Sequence, residues 1–242
     1  MLNPISELII FIGDCGIGKS SLMVHFADTY IKEQGEQRCE LSEQIIRGFN
    51  AKRKTPLSFP SGPPMYSTIK LFLTDLYGHD VKVIEIKNKD IGISNEKEKY
   101  KALFPAPFVL LDEAYDGLCS KDNLPKGQRA LFNQRRHNRM IILMATTRPV
   151  LINKDIRNTG ARIIEIREQI HEKDAFGRIC KTTWHCREFT DKSAIEEYIS
   201  TDGKSGTFEE TTYEHDGNIY ELYDSFEYQD DFMPKEGEDY ET

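Results

Sequence analysis

The sequence predicts an α/β fold with a mainly parallel sheet, helices on both faces and a C-terminal antiparallel hairpin. Three observations support this prediction. The apolar run at residues 7–12 leads through a glycine-rich loop into an amphipathic helix. Two further apolar runs, 107–111 and 140–146, lie on either side of a helical stretch, and strands that alternate with helices pair in parallel. Alternating strands at 161–170 and 178–189, separated by the short segment EKDAFG, predict a hairpin at the sheet edge.

The remaining elements follow from periodicity and from helix-breaking residues. Residues 47–66 hold four prolines and four basic residues but no acid, which predicts a long exposed loop. Alternation predicts a strand at 81–88, and helical patterns predict a short helix at 96–104 and a basic helix at 127–139. A helix over 19–35 is predicted by apolar residues at helical spacing, namely Leu22, Met23, Phe26, Tyr30 and Ile31.

Charge divides the chain into two parts. The net charge is −8, yet from Asp202 onward 14 acidic residues stand against two lysines, so the preceding part is net basic. We expect one folded domain over residues 1–200 and an acidic, tyrosine-rich tail over 201–242 that packs partially at best. Such a tail is either a solvated extension or a mask for a basic surface.

Composition excludes several classes of protein. No apolar run is long enough to span a membrane and no signal peptide is recognisable, which predicts a cytoplasmic protein. The five cysteines are odd in number and lack paired spacing, so neither a disulfide framework nor a zinc site is indicated.

The glycine-rich loop fits the pattern G-x-x-x-x-G-K-[ST] at every fixed position. In this pattern backbone N–H groups converge on phosphate oxygens at a helix start. Lys19 neutralises charge on the β- and γ-phosphates, and the Ser20 hydroxyl ligates Mg²⁺. The preceding strand and following helix distinguish this loop from a glycine-rich turn. The sequence therefore predicts a P-loop NTPase. Its nucleotide-binding residues are Gly13, Asp14, Cys15, Gly16, Ile17, Gly18, Lys19, Ser20 and Ser21.

Two acidic residues directly follow the apolar run FVLL. Asp112 is placed to hold the Mg²⁺ together with Ser20, and Glu113 is placed to polarise a water for in-line attack on the γ-phosphate. Such a base is what ATP-hydrolysing proteins of the ASCE division of P-loop NTPases need. ATP and Mg²⁺ are therefore the expected ligands. Guanine recognition requires the pattern Asn-Lys-x-Asp. In the segment IKNKDIG the acid Asp90 follows the lysine directly, one position too early, so this motif is excluded.

A polar residue at the tip of the strand beside the Mg²⁺-binding strand can touch the attacking water or the γ-phosphate. Thr146 and Thr147 occupy that place, although a hydroxyl there could instead cap the following turn. Ring ATPases also use an arginine that reaches into the neighbouring subunit's site. The basic helix, whose side chains could equally form a solvated face, and the segment after Thr147 supply candidates: Arg135, Arg136, Arg139, Arg148, Arg157 and Arg162.

Taken together, GDCGIGKSS, FVLLDEA, RRHNR and ATTRPVLINKDIRNTGARIIEI resemble the FtsK/HerA superfamily of DNA-pumping ATPases. Among its members the chain is most similar to viral genome-packaging ATPases and Zot-like assembly ATPases of filamentous phages. These proteins share an Arg-His pair, matched here by Arg136 and His137, and an Ile-Arg-Asn element that contains Arg157. Thr147 stands where a glutamine is usual. The resemblance covers residues 6 to about 190.

The resemblance implies a ring homo-oligomer, hexameric in such families, that couples ATP hydrolysis to moving DNA without reading its sequence. Arg136 and Arg157 become the catalytic arginine candidates, and the basic stretch 47–54 becomes a DNA-facing candidate. A capsid, membrane or assembly partner is possible for such a motor, whose place would be the host cytoplasm. Two alternatives stay open: an AAA+-type remodeller or loader of proteins, and a nucleotide-gated adaptor with little turnover.

Overall fold

A computed structural model describes residues 6–56, 58, 62–87, 105–115, 118, 124, 126–201 and 203–224. Its strands, in chain order, are β1 (Glu7–Ile12), β2 (Met65–Ser67), β3 (Lys70–Leu71), β4 (Val83–Glu85), β5 (Phe108–Leu111), β6 (Ile141–Thr146), β7 (Arg162–Lys173), β8 (Ile179–Phe189), β9 (Glu209–Asp216) and β10 (Tyr223–Asp224). Eight of them form a sheet in the order β4-β2-β5-β6-β1-β7-β8-β9, while β3 and β10 form a separate pair.

The six strands from β4 to β7 run parallel, and β8 and β9 extend the sheet antiparallel. Parallel strands begin at one edge of a sheet and end at the other, and we call these the amino edge and the carboxyl edge. The central strands are continuous apolar runs because both of their faces are covered. In β1, Ile9 and Phe11 face one core while Leu8, Ile10 and Ile12 face the other.

Helices cover both faces, as the sequence predicts. α1 (Lys19–Asn50) packs on the first face through residues such as Leu22, Met23 and Phe26. The second face carries α2 (Lys126–Gln134), α3 (Lys154–Arg157) and α4 (Lys192–Ser200). They contribute Phe132, Ile156 and Ile195 to the second core.

α1 is longer than predicted, because it continues to Asn50 through the start of the predicted loop at 47–66. Its second half is built from strong helix formers, and no proline occurs before Pro56 to end it. Apart from Arg47, the prolines and basic residues therefore mark only the segment after the helix. Within that segment Met65–Ser67 forms the buried strand β2, which the sequence analysis missed.

The basic helix is shorter than predicted. α2 ends at Gln134, and the basic residues 135–139 form turns in which Arg139 adopts a positive φ of 55°. Arg135 is buried, and its guanidinium donates to the carbonyls of Thr159 (2.7 Å) and Gly160 (3.1 Å). This side chain therefore ties the end of α2 to the loop that enters β7.

Arg38 holds the amino edge together from α1. Its side chain is fully buried and donates to the carbonyl of Arg139 (2.7 Å), the carbonyl of Ala106 (3.2 Å) and Gln34 Oε1 (3.1 Å). Its guanidinium also lies over the Phe108 ring, 4.7 Å from the centroid. Burial lowers the pKa of Arg38 to about 10.

The predicted hairpin forms from β7 and β8. It is not at the edge of the sheet, because β9 pairs with β8 on the outside from Lys181↔Asp216 to Glu188↔Glu209. Solvent-exposed and half-buried side chains alternate along β9, and none of its residues is fully buried. The sequence analysis missed this strand because the stretch is acidic and has few apolar residues.

Residues 218–224 pack more tightly than the sequence analysis expected for the stretch after Ser200. A 3₁₀ turn at Ile219–Leu222 follows β9, and Ile219 is fully buried against the first core. The chain then enters β10, where Tyr223 pairs with Leu71 of β3. The division of the chain near residue 200 stays a prediction, and residues 225–242 lie outside the described residues.

Three smaller segments of the sequence analysis remain. β4 confirms the strand predicted at 81–88, whereas the helix predicted at 96–104 and the segment Asn88–Asp90 lie outside the described residues. Among the helices that the structure describes, none has the length and apolar character needed to cross a lipid bilayer.

Candidate nucleotide-binding site

The predicted phosphate loop lies at the carboxyl edge, between the end of β1 and the start of α1. Three of its residues adopt positive φ, namely Gly13 (150°), Gly16 (76°) and Gly18 (93°). A side chain at Gly18 would also meet the Gln169 amide at 2.5 Å. The backbone conformation therefore favours glycine at Gly18, and a side chain there would displace the Gln169 amide.

The first turn of α1 is suited to an anion. Gly18 is its N-cap, with no side chain capping the helix, and the turn contains no acidic residue. The early N–H groups of a helix lack intrahelical acceptors and carry partial positive charge. The Lys19 Nζ donates to the Asp14 carbonyl at 2.7 Å, so the ammonium lies over the loop itself. Loop, lysine and helix terminus together form a phosphate cradle.

Ser20 and Asp112 join the loop to the end of β5. The Ser20 hydroxyl donates to Asp112 Oδ2 at 2.7 Å, and the backbone N–H of Glu113 donates to Oδ1 at 3.0 Å. Burial raises the pKa of the Asp112 carboxyl, while these two donors and the charge of Lys19 oppose the rise. A hydroxyl and a half-buried carboxylate that converge next to a phosphate cradle fit Mg²⁺, which takes few protein oxygens beside phosphate and water.

Glu113 follows in a left-handed conformation that is unusual for a residue with a side chain, with φ of 46°. It is exposed at the carboxyl edge. The next residue, Ala114, donates its N–H to the Ala145 carbonyl at 2.9 Å, which ties the chain after β5 to β6. A strained conformation that is fixed by its neighbours is a common mark of a functional residue.

The two threonines at the end of β6 differ in their surroundings. Thr146 is buried, and its hydroxyl donates to the Arg148 carbonyl at 3.4 Å. Thr147 is half-buried and lines a cavity of about 160 Å³ together with Gly13, Asp14 and Arg148. Of the two, Thr147 is the one that shares a cavity with the phosphate loop.

These features form one arrangement: a strand, a phosphate loop and a helix, with two acids on β5 and a polar residue on β6 at the same edge. The strands that carry them lie in the order β5-β6-β1. The fold is that of a P-loop NTPase. It follows from the topology and the geometry of the loop.

Solved structures that the chain is similar to include the two kinds of protein named from sequence. The N-terminal domain of zonular occludens toxin from Neisseria meningitidis is 16% identical, with 91% of this chain and 100% of that chain covered and a TM-score of 0.48. The genome packaging NTPase of Sulfolobus turreted icosahedral virus 2, solved with ATP-gammaS, is 12% identical, with 86% and 98% covered and a TM-score of 0.43.

The DNA-packaging ATPase of Sulfolobus turreted icosahedral virus is 13% identical, with 83% of this chain and 85% of that chain covered and a TM-score of 0.40. No family model and no curated protein matches the chain. At such low identities and TM-scores these similarities carry no argument about activity, which rests on the residues of the site.

Among the arginine candidates, Arg148 lines the cavity beside the phosphate loop, whereas Arg136 lies away from the loop of its own chain. Arg136 follows α2 at the amino edge, beside an open cavity of about 450 Å³ lined also by Arg129, Asp155 and Asn158. Arg157 at the end of α3 donates its Nε to the Ile152 carbonyl at 3.0 Å. The sheet separates Arg136 from the phosphate loop by the length of β6, about 20 Å.

Several neighbours of the site were missed in the sequence. The Thr68 hydroxyl, after β2, accepts the Asp112 N–H at 2.8 Å. On the other side of the loop, the Ser21 hydroxyl accepts from Gln169 Nε2 (2.9 Å) and Trp184 Nε1 (3.3 Å). A hydroxyl at the end of a parallel strand was a signal for Thr68. No local pattern marks Gln169, because its place depends on β7 running past the end of β1.

Proposed function

We propose that this chain is an ATP-hydrolysing DNA translocase of the FtsK/HerA type that works as a ring of identical subunits. Its task in this proposal is the packaging, export or transfer of a viral or mobile-element genome in the host cytoplasm. The observation that carries the proposal is the convergence at one edge of the phosphate cradle, the Ser20–Asp112 pair and Glu113. This convergence provides the parts that ATP hydrolysis needs.

In the proposed reaction, backbone N–H groups of residues 13–21 and Lys19 bind the triphosphate. Ser20 and Asp112 hold Mg²⁺, which when bound offsets the charge of the β- and γ-phosphates. Glu113 accepts a proton from a water as the water oxygen bonds to the γ-phosphorus, and the bond from that phosphorus to the β–γ bridging oxygen breaks. The products are ADP and phosphate. Thr147, which lines the cavity by the loop, orients the water.

The positions of Arg136 and Arg157 support the ring. A side chain at the amino edge of one subunit is too far from its own phosphate loop, but it can lie at the carboxyl edge of a neighbour. Arg136 is exposed and beside an open cavity, as a residue that acts on a second subunit must be. We propose Arg136 as the arginine that acts in trans and Arg157 as its alternative.

The proposed DNA contact is the far end of α1 and the segment after it. Arg47, Lys52, Arg53 and Lys54 are all exposed there. Clustered Lys and Arg bind phosphates without reading base sequence, which suits a motor that must move along any DNA. A capsid, membrane or assembly protein would be a further partner of such a motor.

The deciding experiment measures steady-state ATP hydrolysis with no DNA, with double-stranded DNA and with single-stranded DNA, using Glu113→Gln as the control. We expect DNA to stimulate turnover, and Glu113→Gln to lower it by about 10²–10⁴-fold, the usual contribution of a general base. ATP binding should persist in the variant, because Glu113 lies outside the phosphate cradle.

Other outcomes point elsewhere. Turnover that is indifferent to DNA would replace the translocase with a protein-remodelling or loader ATPase. Tight ATP binding without turnover under every condition would replace it with the nucleotide-gated adaptor. Size measurement with ATP present tests the ring separately, and a monomer at micromolar concentration would contradict a trans arginine.

A further inference from the structure

The nucleoside end of a bound nucleotide must lie on one particular side of the phosphate loop. Glu113 and Thr147 mark the γ-phosphate end, on the side of β1 where β5 and β6 lie. Loops of this kind hold the α- and β-phosphates with backbone N–H groups at the helix start. The sugar and base therefore continue from Ser21 towards the other neighbour of β1, which is β7.

β7 continues past the end of β1 on that side. Its last residue paired with β1 is Glu165, opposite Ile12, but the strand runs on to Lys173. Gln169 therefore stands beside the first turn of α1, where its Nε2 donates to the Ser21 hydroxyl at 2.9 Å. The amide packs so closely on Gly18 that a Cβ there would lie 2.5 Å from it.

The 3₁₀ turn at Ile219–Leu222 brings an aromatic side chain to the same place. The Tyr220 hydroxyl lies 3.2 Å from His171 Nε2 and donates weakly to Gln169 Oε1 at 3.5 Å. The Tyr220 ring is 42% exposed, although it lies 5.5 Å from the His171 ring and 5.9 Å from the Tyr223 ring.

Two anchors fix Tyr220 beside Gln169. Ile219 is fully buried against the first core, and Tyr223 is buried where β10 pairs with β3. The Asn218 side chain accepts the Tyr220 N–H at 3.3 Å. An exposed aromatic ring that is fixed beside a nucleotide-binding loop is a surface suited to a flat base, because every base has a π-face that can stack.

We propose that the purine base of the bound nucleotide stacks on Tyr220, whose ring is held beside Gln169 next to the phosphate loop. This inference rests on the proposed nucleotide binding and extends it to the base. It assigns a role to the segment 218–223, which the sequence placed in an acidic tail.

Inorganic tripolyphosphate separates the base from the phosphates, because it occupies the phosphate cradle and has no base. Affinities for ATP and for tripolyphosphate are measured by calorimetry for the full chain, with Mg²⁺ present, and for its Tyr220→Ala and Tyr220→Phe variants. We expect Tyr220→Ala to weaken ATP binding about tenfold or more and to leave tripolyphosphate binding unchanged within about twofold. Tyr220→Phe keeps the ring and should keep most of the ATP affinity.

Tyr77→Ala is the matched control. Tyr77 is 66% exposed and its hydroxyl donates to Glu36, 17 residues and so about 25 Å along α1 from Lys19. Its loss should change neither affinity. Melting temperatures of all variants show whether the fold is intact. If Tyr220→Ala does not fold, Tyr220→Leu provides the test, because leucine fills part of the space without an aromatic face, and it should weaken ATP binding but not tripolyphosphate binding.

Each other result overturns the proposal. Equal weakening of ATP and tripolyphosphate in Tyr220→Ala would give Tyr220 a structural role in the loop. An unchanged ATP affinity in Tyr220→Ala would place the base elsewhere. Loss of ATP affinity in Tyr220→Phe would show that the tyrosine hydroxyl, and not stacking on the ring, binds the nucleotide. A wild-type chain that binds neither ligand would contradict the proposed function itself, which is a different failure.

Discussion

The two edges of the main sheet satisfy their polar groups in different ways. At the amino edge, Arg38 and Arg135 are buried, and each donates to two backbone carbonyls of the same chain. The carboxyl edge has an open loop with three glycines of positive φ and an uncapped helix start. Glu113, with a φ of 46°, lies at the same edge. The first edge is completed by the protein, and the second is shaped for a ligand.

The contrast separates stability from function. Buried carbonyls that lose their donors destabilise the folded state, because burial leaves them no water to accept from. Groups at an open edge keep their water when a neighbour is removed, so their loss is felt mainly in ligand binding. Variants at the amino edge should therefore lower the stability of the fold and leave ligand affinity unchanged. Variants at the carboxyl edge should lower ligand affinity and leave stability unchanged.

The largest effect is expected from Arg38→Leu. The substitution leaves the carbonyls of Ala106 and Arg139 without this donor and should lower the free energy of unfolding by about 3 kcal/mol. Urea denaturation measures this loss. Arg47→Leu, an exposed site on the same helix with an ion pair to Glu43, should change it by less than about 0.5 kcal/mol. Comparable losses in both variants would contradict the role of the amino edge.

Lys19→Ala should produce the opposite result. Removal of the ammonium should weaken ATP binding by about 100-fold, because a charge-assisted contact to phosphate is lost. The melting temperature should stay within about 2 °C, since the lysine makes one exposed hydrogen bond to Asp14. Lys32→Ala, which breaks an ion pair with Asp28 on the same helix, is the control and should leave ATP affinity unchanged. A large loss of stability in Lys19→Ala would remove the contrast.

A smaller, pH-dependent effect should arise below the carboxyl edge, where α1 meets β9. His25 Nδ1 lies 3.4 Å from His215 Nδ1, and the His25 ring stacks on Trp184. Burial, followed by the His215 charge, lowers the pKa of His25 to about 4 from 6.5, and burial lowers that of His215. The folded state thus favours neutral His25. Stability is complete above about pH 6.5 and falls as the pH drops towards 4, with a loss from His25 of about 2 kcal/mol at pH 5.

Urea denaturation between pH 7 and pH 5 measures this loss. His25→Gln should flatten the profile, whereas His79→Gln should leave it unchanged, because His79 is exposed. An identical profile in the wild type and in His25→Gln would show that another group causes the loss.

The sequence predicts the strands and helices that depend on local pattern. The glycine-rich loop after β1, the acids after β5 and the threonines at the end of β6 each occupy a few consecutive residues, and the topology brings them to one edge because parallel strands end there. Their roles in the site stay predictions. The alternation of strands 161–170 and 178–189 likewise predicts the hairpin. These predictions need no knowledge of distant contacts.

What the sequence misses depends on contacts between distant segments. β9 lies in an acidic stretch, and only its pairing with β8 makes it a strand. The turn after it is anchored by Ile219 and Tyr223, two residues among many polar ones. Gln169 looks like any polar residue in a strand until the overhang of β7 puts it against Gly18. Such positions are set by tertiary packing, which propensity and periodicity do not encode.

The length of α1 has a mechanical consequence. The helix runs without a break through 32 residues, so it is about 48 Å long. One end carries Lys19 in the phosphate loop, and the other carries the exposed Arg47. Arg38 ties the middle of the helix to the amino edge, so helix and sheet form one body. A tilt of that body by about 5° about the phosphate loop displaces the basic end by about 4 Å, roughly the distance between consecutive Cα atoms. In the proposed motor such a tilt would be a residue-sized step.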